Sequence, residues 1–381
     1  MKDKPFRVLS LDGGGIRGLY TATLLQQLSM RVARLNGGAE ESNLDLGAQF
    51  DLIVGTSTGS IIAVALAAGV PLEKVLSMYR TQAAAIFQRP MPLQDGCLGT
   101  KLRTGAWALR NSCSPANESS SLRAALAPVL KKETLGQVFA RRRVALCVPT
   151  IDAESQKAWV FKTPHSQRLT RDNNYQLIDV CMASAAAPVF FPMHAVTSPN
   201  PGATSMHLFV DGGLWGNNPV LVGLVEALEM VKPDQEIEIL SVGTCPGTKS
   251  KVLTEEDADR GSVQWKGGID IVSLSLEAQA SVVPYLASKL VGAMGGRVRL
   301  HRLREPETSS DESKHLALDA VDPKSLSVIE MLGQRATDLN MSELTNSAYP
   351  TAQHQMVLQM FSNLKQLQEG DYEWPTTPTS T

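Results

Sequence analysis

Short runs of aliphatic and β-branched residues alternate with longer stretches of helical spacing between Arg7 and Gly243. Arg7–Leu11, Asp51–Val54, Arg142–Thr150, Ala158–Phe161, His207–Val210 and Ile237–Gly243 are brief and apolar, and predict strands. Between them, Leu24, Leu25, Leu28 and Val32 fall on one helical stripe that stops at Asn36-Gly37-Gly38. Ser60–Leu66, Leu72–Phe87, Leu122–Lys131, Gln176–Ala187 and Val220–Met230 read as further helices. The run Ala183-Ser184-Ala185-Ala186-Ala187 is small enough to lie against another backbone, the helix after Val54 being the expected neighbour. Strand–helix alternation of this kind predicts an α/β fold, a three-layer αβα sandwich around a mostly parallel central sheet.

Beyond Pro246 the pattern changes. Thr248–Gln264 is polar, and Ile269–Met294 reads as one or two helices broken at Pro284. Arg297–Arg304 is a basic, strand-like run, and Ser325–Leu344 and Gln353–Gln368 are helical. The expected division is a catalytic core over 6–222 and a part over 223–381 that completes the sheet, adds helices and carries regulation. Residues 375–381 are expected to be a disordered tail. Gln88–Ser121 shows little periodicity and reads as a long surface excursion, a lid or binding element beside a site.

With 381 residues, 43% of them hydrophobic, the chain can bury a large core. Its 36 basic residues against 38 acidic ones give a formal charge of −2, which argues against a nucleic-acid polymer as partner. Five cysteines without CxxC or metal spacing fit a reducing, cytoplasmic compartment. The longest apolar run, about Ile61 to Val70, is half a bilayer span. A lipid-directed activity would therefore require peripheral contact with the membrane. The cluster Arg141-Arg142-Arg143 reads as a solvated strand entrance rather than a phosphate site.

Two stretches carry candidate chemistry. Gly55-Thr56-Ser57-Thr58-Gly59 joins a strand to a helix in the Gly-x-Ser-x-Gly pattern of a nucleophile elbow, where side chains at Gly55 or Gly59 would collide with strand or helix. The alternative is a tight structural turn. Asp12-Gly13-Gly14-Gly15-Ile16-Arg17-Gly18 also joins a strand to a helix. It satisfies GxGxxG, but the second strand ends in Gly55-Thr56-Ser57 instead of the acidic residue that would hold a ribose, so a dinucleotide cofactor is set aside. The remaining reading is an oxyanion hole, with Gly13, Gly14, Gly15 and Arg17 as candidate amide donors and Gly18 as motif support.

A serine hydroxyl needs a base. None of His165, His194, His207, His301, His315 and His354 sits in a triad-like context. Asp211 ends a strand and is followed by Gly212 and Gly213, so its carboxylate can reach across an uncluttered loop. Its alternative role is a turn cap. A conventional triad using His301, His315 or His354, and a non-enzymatic lipid or nucleotide binder on the same scaffold, stay open as competing readings.

Taken in order, the glycine loop at Asp12–Gly18, the elbow at Ser57 and Asp211-Gly212-Gly213 resemble the patatin-like phospholipases over about the first 220 residues. Leu122–Leu126 and Thr134-Leu135-Gly136 look like the family too. The third element stands where many members have Asp-Gly-Ala. The resemblance implies a Ser57–Asp211 dyad without histidine, metal or cofactor, hydrolysing acyl esters of membrane glycerophospholipids. The chain is also similar in length and general character to compact bacterial members that act as anti-phage effectors at the inner face of the membrane. That similarity implies a cyclic dinucleotide activator; a homo-oligomer is a further partner the sequence leaves open.

Overall fold

The computed structural model describes residues 4–37, 43–92, 98–111, 113–130, 132–245, 254–261, 265, 268–346, 348 and 350–367; the tail expected over 375–381 lies outside them. Eight strands form one sheet: β1 (Phe6–Leu11), β2 (Leu52–Gly55), β3 (Ala145–Asp152), β4 (Lys157–Lys162), β5 (His194–Thr197), β6 (Met206–Asp211), β7 (Ile237–Val242) and β8 (Val298–Arg302). Their order is β5-β6-β3-β2-β1-β7-β8, with β4 paired to β3. Pairings along β3-β2-β1-β7-β8 are parallel, whereas β4 and β6 run antiparallel to β3, and β5 to β6.

The helices before β3 are α1 (Gly18–Leu35), α2 (Thr58–Ala68), α3 (Leu72–Ile86), α4 (Leu98–Arg110), α5 (Ser119–Leu126) and α6 (Leu135–Arg142). After β4 come α7 (Leu177–Ser184), α8 (Gly213–Gly216), α9 (Val220–Met230), α10 (Ile269–Ala293), α11 (Ser310–Ser313), α12 (Pro323–Leu344) and α13 (Ala352–Ser362). The central strands are apolar on both sides, as a sheet covered by helices on each face demands. Leu9, Leu11, Ile53, Leu146 and Val148 belong to the larger core, with α1, α2 and α3. Val8, Leu52, Val54, Cys147 and Ile239 turn to a second core with Val220 and Leu224 of α9 and Ala287 of α10. The predicted three-layer architecture with its mostly parallel sheet is therefore present.

Several local expectations change. The Gln88–Ser121 excursion contains α4, whose stripe Thr104, Trp107 and Ala108 packs inward. β5 arises where no strand was expected, paired antiparallel to β6. Pro284 does not split α10. The β3 strand starts only at Ala145, because Leu135–Arg142 is helical: Thr134 and Gln137 form a reciprocal capping box. Arg141 and Arg142 are consequently not a strand entrance. They end α6 and donate to the Ala68 and Ala67 carbonyls at 3.0 and 3.3 Å, satisfying the exposed carbonyl end of α2. α7 does lie against α2, its Cys181 thiol 3.8 Å from the Ser60 carbonyl. Among the described residues no helix is long and apolar enough to cross a membrane.

Sheet register sets the height of the two chemical elements. Val54 lies opposite Cys147, and Thr150, three residues further along β3, lies opposite Asp211. Three residues beyond Val54 is Ser57. The end of β6 and the turn after β2 thus reach the same level at the edge where parallel strands end, the usual ligand-binding edge of such a sheet.

Candidate active site

Ser57 stands between β2 and α2 with φ 52° and ψ −122°, a backbone conformation that side-chain-bearing residues rarely adopt. The strain is held by the surroundings. Ser57 N–H donates to Ser184 Oγ at 2.8 Å, and Ser184 in turn donates to the Pro149 carbonyl at 2.7 Å. Thr56 donates through its hydroxyl to the Gly216 carbonyl, and Thr58 to the Gly15 carbonyl, each at 2.6 Å. Gly59 lies so close to β1 that an added Cβ would sit 2.4 Å from the Leu11 carbonyl oxygen. Gly55 packs equally tightly under Gly59. The bend has no room to relax.

Ser57 Oγ donates to Asp211 Oδ2 at 2.7 Å. The other carboxylate oxygen, Oδ1, accepts the Gly213 N–H at 2.6 Å. Gly212 lies against the Pro149 carbonyl, where a Cβ would find 2.2 Å, and Asp211 N–H is fixed on the Ala186 carbonyl. Only 5% of Asp211 is exposed, so loss of solvation pushes its pKa up to about 6, opposed by the hydrogen bonds from Gly213 and Ser57. This carboxylate is thus a stronger base than an ordinary aspartate and still ionised at neutral pH.

The glycine loop faces the same spot, but its four candidate donors divide. Gly13 N–H is spent on the Asn217 carbonyl at 2.9 Å and Arg17 N–H on the Gly14 carbonyl at 3.1 Å. Those two amides are therefore withdrawn as oxyanion donors. Gly14 and Gly15, which line the pocket beside Ser57, have no backbone acceptor among the described residues. Gly15 adopts φ +57°, with a Cβ position only 2.3 Å from the Leu318 carbonyl oxygen, so glycine is required there twice over. Gly18 opens α1 against Thr58. The buried Arg17 side chain holds the loop through the Gly14 carbonyl. Asp12, at the root of the loop, meets Arg302 of β8 at 2.8 Å; burial raises its pKa against the pull of that guanidinium.

An apolar pocket opens beside these groups, enclosing about 780 Å³ of empty space with its mouth included. Ser57, Asp211, Gly14, Gly15 and Asn217 form its polar floor. Ile61, Met78, Ile86, Phe87, Leu122, Phe190 and Phe191 build its wall, and Val272 and Leu276 of α10 close one side. No histidine lines it. His165 is bonded to Glu226, His194 to Asp179, His315 to Ser325 and His354 to Glu343, while His207 stacks on Phe209 and His301 packs edge-on against His354. Sequence reasoning missed two groups here. Ser184 was visible only as the hydroxyl within an alanine run. Gln279 of α10, which accepts Asn217 N–H and donates to the Gly213 carbonyl at 2.9 Å each, belongs to no motif.

With this geometry in view, comparison with known proteins gives consistent matches. The patatin-like phospholipase family matches residues 9–224. A Pseudomonas aeruginosa protein named cGAMP-activated phospholipase is 30% identical over 335 residues, 87% of this chain and 87% of its own length. Proteins of the same name from Vibrio cholerae and Escherichia coli are 29% and 34% identical, over 352 and 248 residues respectively. The former match covers 90% of this chain and 92% of the relative, the latter 64% and 63%.

Proposed function

The chain belongs to the patatin-like phospholipase family and is a lipid ester hydrolase; from that premise we propose a Ser57–Asp211 dyad acting on membrane glycerophospholipids. One observation carries the reading: the 2.7 Å hydrogen bond from Ser57 Oγ to Asp211, at the floor of a pocket walled with apolar side chains. The acyl chain lies along the wall, which brings the ester carbonyl to the floor.

Ser57 Oγ attacks the carbonyl carbon as its proton passes to Asp211 Oδ2. Negative charge gathers on the former carbonyl oxygen, within reach of the Gly14 and Gly15 amides. The tetrahedral species collapses by breaking the bond to the glycerol oxygen, which takes the proton from Asp211 and leaves as an alcohol. Water then gives a proton to the same carboxylate and attacks the acyl-enzyme, releasing fatty acid and restoring the Ser57 hydroxyl. One carboxylate serves both half-reactions, which suits a group with pKa about 6.

Residues 6–222 carry this chemistry in our reading, and 223–381 support and regulate it. The name cGAMP-activated phospholipase carried by the relatives supports a cyclic dinucleotide activator; a role as an anti-phage effector at the inner membrane face completes the proposal. The test is fatty-acid release from phospholipid vesicles, with and without cGAMP, by wild type, Ser57→Ala and Asp211→Ala. Both variants are expected to fall by at least ~10³-fold while keeping wild-type circular dichroism. Full activity in either overturns the dyad. Wild-type hydrolysis indifferent to cGAMP overturns the activator alone.

A further inference from the structure

α4 is the part of the Gln88–Ser121 excursion that the chemistry above leaves unused. Its inner face is Thr104, Trp107, Ala108 and Asn111, spaced at i, i+3, i+4 and i+7. Trp107 is 9% exposed, donates its indole N–H to the Arg89 carbonyl and packs tilted against Phe190, a wall residue of the pocket, with ring centroids 6.5 Å apart. The helix is therefore bolted to the outside of that wall.

Its outer face is unlike an ordinary solvated one. Leu102, Ala106 and Leu109 recur at i, i+4 and i+7, opposite the buried stripe, and the two leucines are 68% and 76% exposed. Arg103 and Arg110 run along one flank, exposed, and neither meets an acidic partner among the described residues. An apolar ridge edged with cations is the arrangement that lies in the plane of a lipid interface, leucines among acyl chains and guanidiniums among anionic headgroups. On the pocket's other side, α10 presents Ile271 and Leu274 to solvent, one and two residues respectively from Val272 and Leu276, which line the pocket.

We propose that α4 is a docking helix that seats this protein on an anionic phospholipid surface, holding the acyl pocket against the bilayer its substrate leaves. The proposal rests on the phospholipase reading above, and the basic flank favours a lipid surface over a second copy of the chain.

The test uses full-length Ser57→Ala protein, so that vesicles stay intact, with cGAMP present throughout. Flotation with phosphatidylcholine vesicles, with and without phosphatidylglycerol, measures binding. Adding Leu102→Ser and Leu109→Ser is expected to weaken binding at least about tenfold, and Arg103→Gln with Arg110→Gln to remove the preference for phosphatidylglycerol. In the Ser57 background the leucine pair should leave cleavage of a soluble short-chain ester at the wild-type rate, which also shows that it folds. Vesicle binding unchanged by the leucine pair overturns the proposal. So does a change in oligomeric state on size exclusion in place of lost vesicle binding, because the ridge would then be covered by another copy. If wild type binds vesicles through these residues but releases no fatty acid, docking stands and the phospholipase reading fails. If it cleaves detergent-dispersed phospholipid without binding vesicles, docking fails and the enzyme reading stands.

Discussion

The floor and the wall of the pocket are built by different means. On the floor the framework is tied by hydrogen bonds, with the Gly14 and Gly15 amides left open: Ser57 N–H is held by Ser184, Asp211 Oδ1 by Gly213, Asn217 N–H by Gln279, and Gly13 and Arg17 amides by backbone carbonyls. Even the strained φ of Ser57 is fixed from three sides. The wall is made of aliphatic and aromatic side chains from α2, α3, α5 and the Ala187–Phe191 turn, touching one another without directional bonds. Hydrogen bonds tolerate errors of tenths of an ångström, whereas apolar contacts tolerate changes of residue if volume is kept. Substitution should therefore act almost all-or-none on the floor and by degrees on the wall.

The largest separation is expected from Asp211→Asn. The amide keeps the shape and can still accept from Gly213, but it cannot take the serine proton, so hydrolysis should fall ~10³-fold or more. In wild type, kcat/KM should climb with pH through about 6 as the carboxylate ionises and flatten above it. Stability should move the other way. The folded pKa, about 6, exceeds the ordinary 3.8, so the folded chain keeps a proton that the unfolded chain has released between those values. This carboxyl consequently lowers stability as pH rises through that window. Asp211→Asn, with nothing to ionise, should melt a few degrees above wild type at pH 7, on the order of 2 kcal/mol, with the gain fading towards pH 4. Thermal melts of the pair at both pH values check it; equal melting at pH 7 would mean that the carboxylate is not desolvated as its burial implies.

Ser184→Ala should give a smaller loss on the same floor. Its hydroxyl touches no substrate and acts through the elbow, by accepting Ser57 N–H and donating to Pro149. Without it, a buried amide loses its acceptor and the bend its anchor, at ~1–3 kcal/mol of stability. Hydrolysis is expected to drop about ten- to a hundredfold through kcat with KM little changed, as befits a positioning residue. Ser184→Thr, which keeps the hydroxyl, should recover part of the rate. If alanine costs nothing while the melting point still drops, the elbow does not need this anchor.

How much of this was readable in advance follows the same division. The alternating pattern yielded the layered α/β architecture, and three short motifs located the floor, because glycines at close approaches and a serine on a bend admit few other residues. The bond that spends the Gly13 amide was not readable, since its acceptor, the Asn217 carbonyl, is brought by tertiary contact, and the Arg17 amide is spent on the Gly14 carbonyl by a local turn that the glycine run does not dictate. Gln279 arrives from 68 positions beyond Asp211 (279 − 211) on a helix whose own pattern speaks only of burial. β5 was missed because a four-residue edge strand owes its existence to the partner beside it. α4 was missed because Gly99 and Gly105 weaken the helical signal, and packing of Trp107 on Phe190 supplies what propensity lacks.

The smallest effect is expected at the wall, and it is the sharpest check on the contrast. Phe87 packs edge-to-face on Phe191, centroids 5.6 Å apart, along the side of the pocket. Phe87→Leu keeps an apolar surface and removes part of a ring, leaving Ser57, Asp211 and their partners untouched. Short-chain esters, which reach little of the wall, should turn over at nearly the wild-type rate. Esters of longer acids should change by only about two- to fivefold relative to them, because the lost or gained contact is a few methylene-sized groups. A rate series over acyl length for wild type and Phe87→Leu reads the ratio directly. A uniform loss across all lengths, as large as that of Ser184→Ala, would mean that the ring braces the elbow rather than the chain. Wall and floor would then be one mechanical unit.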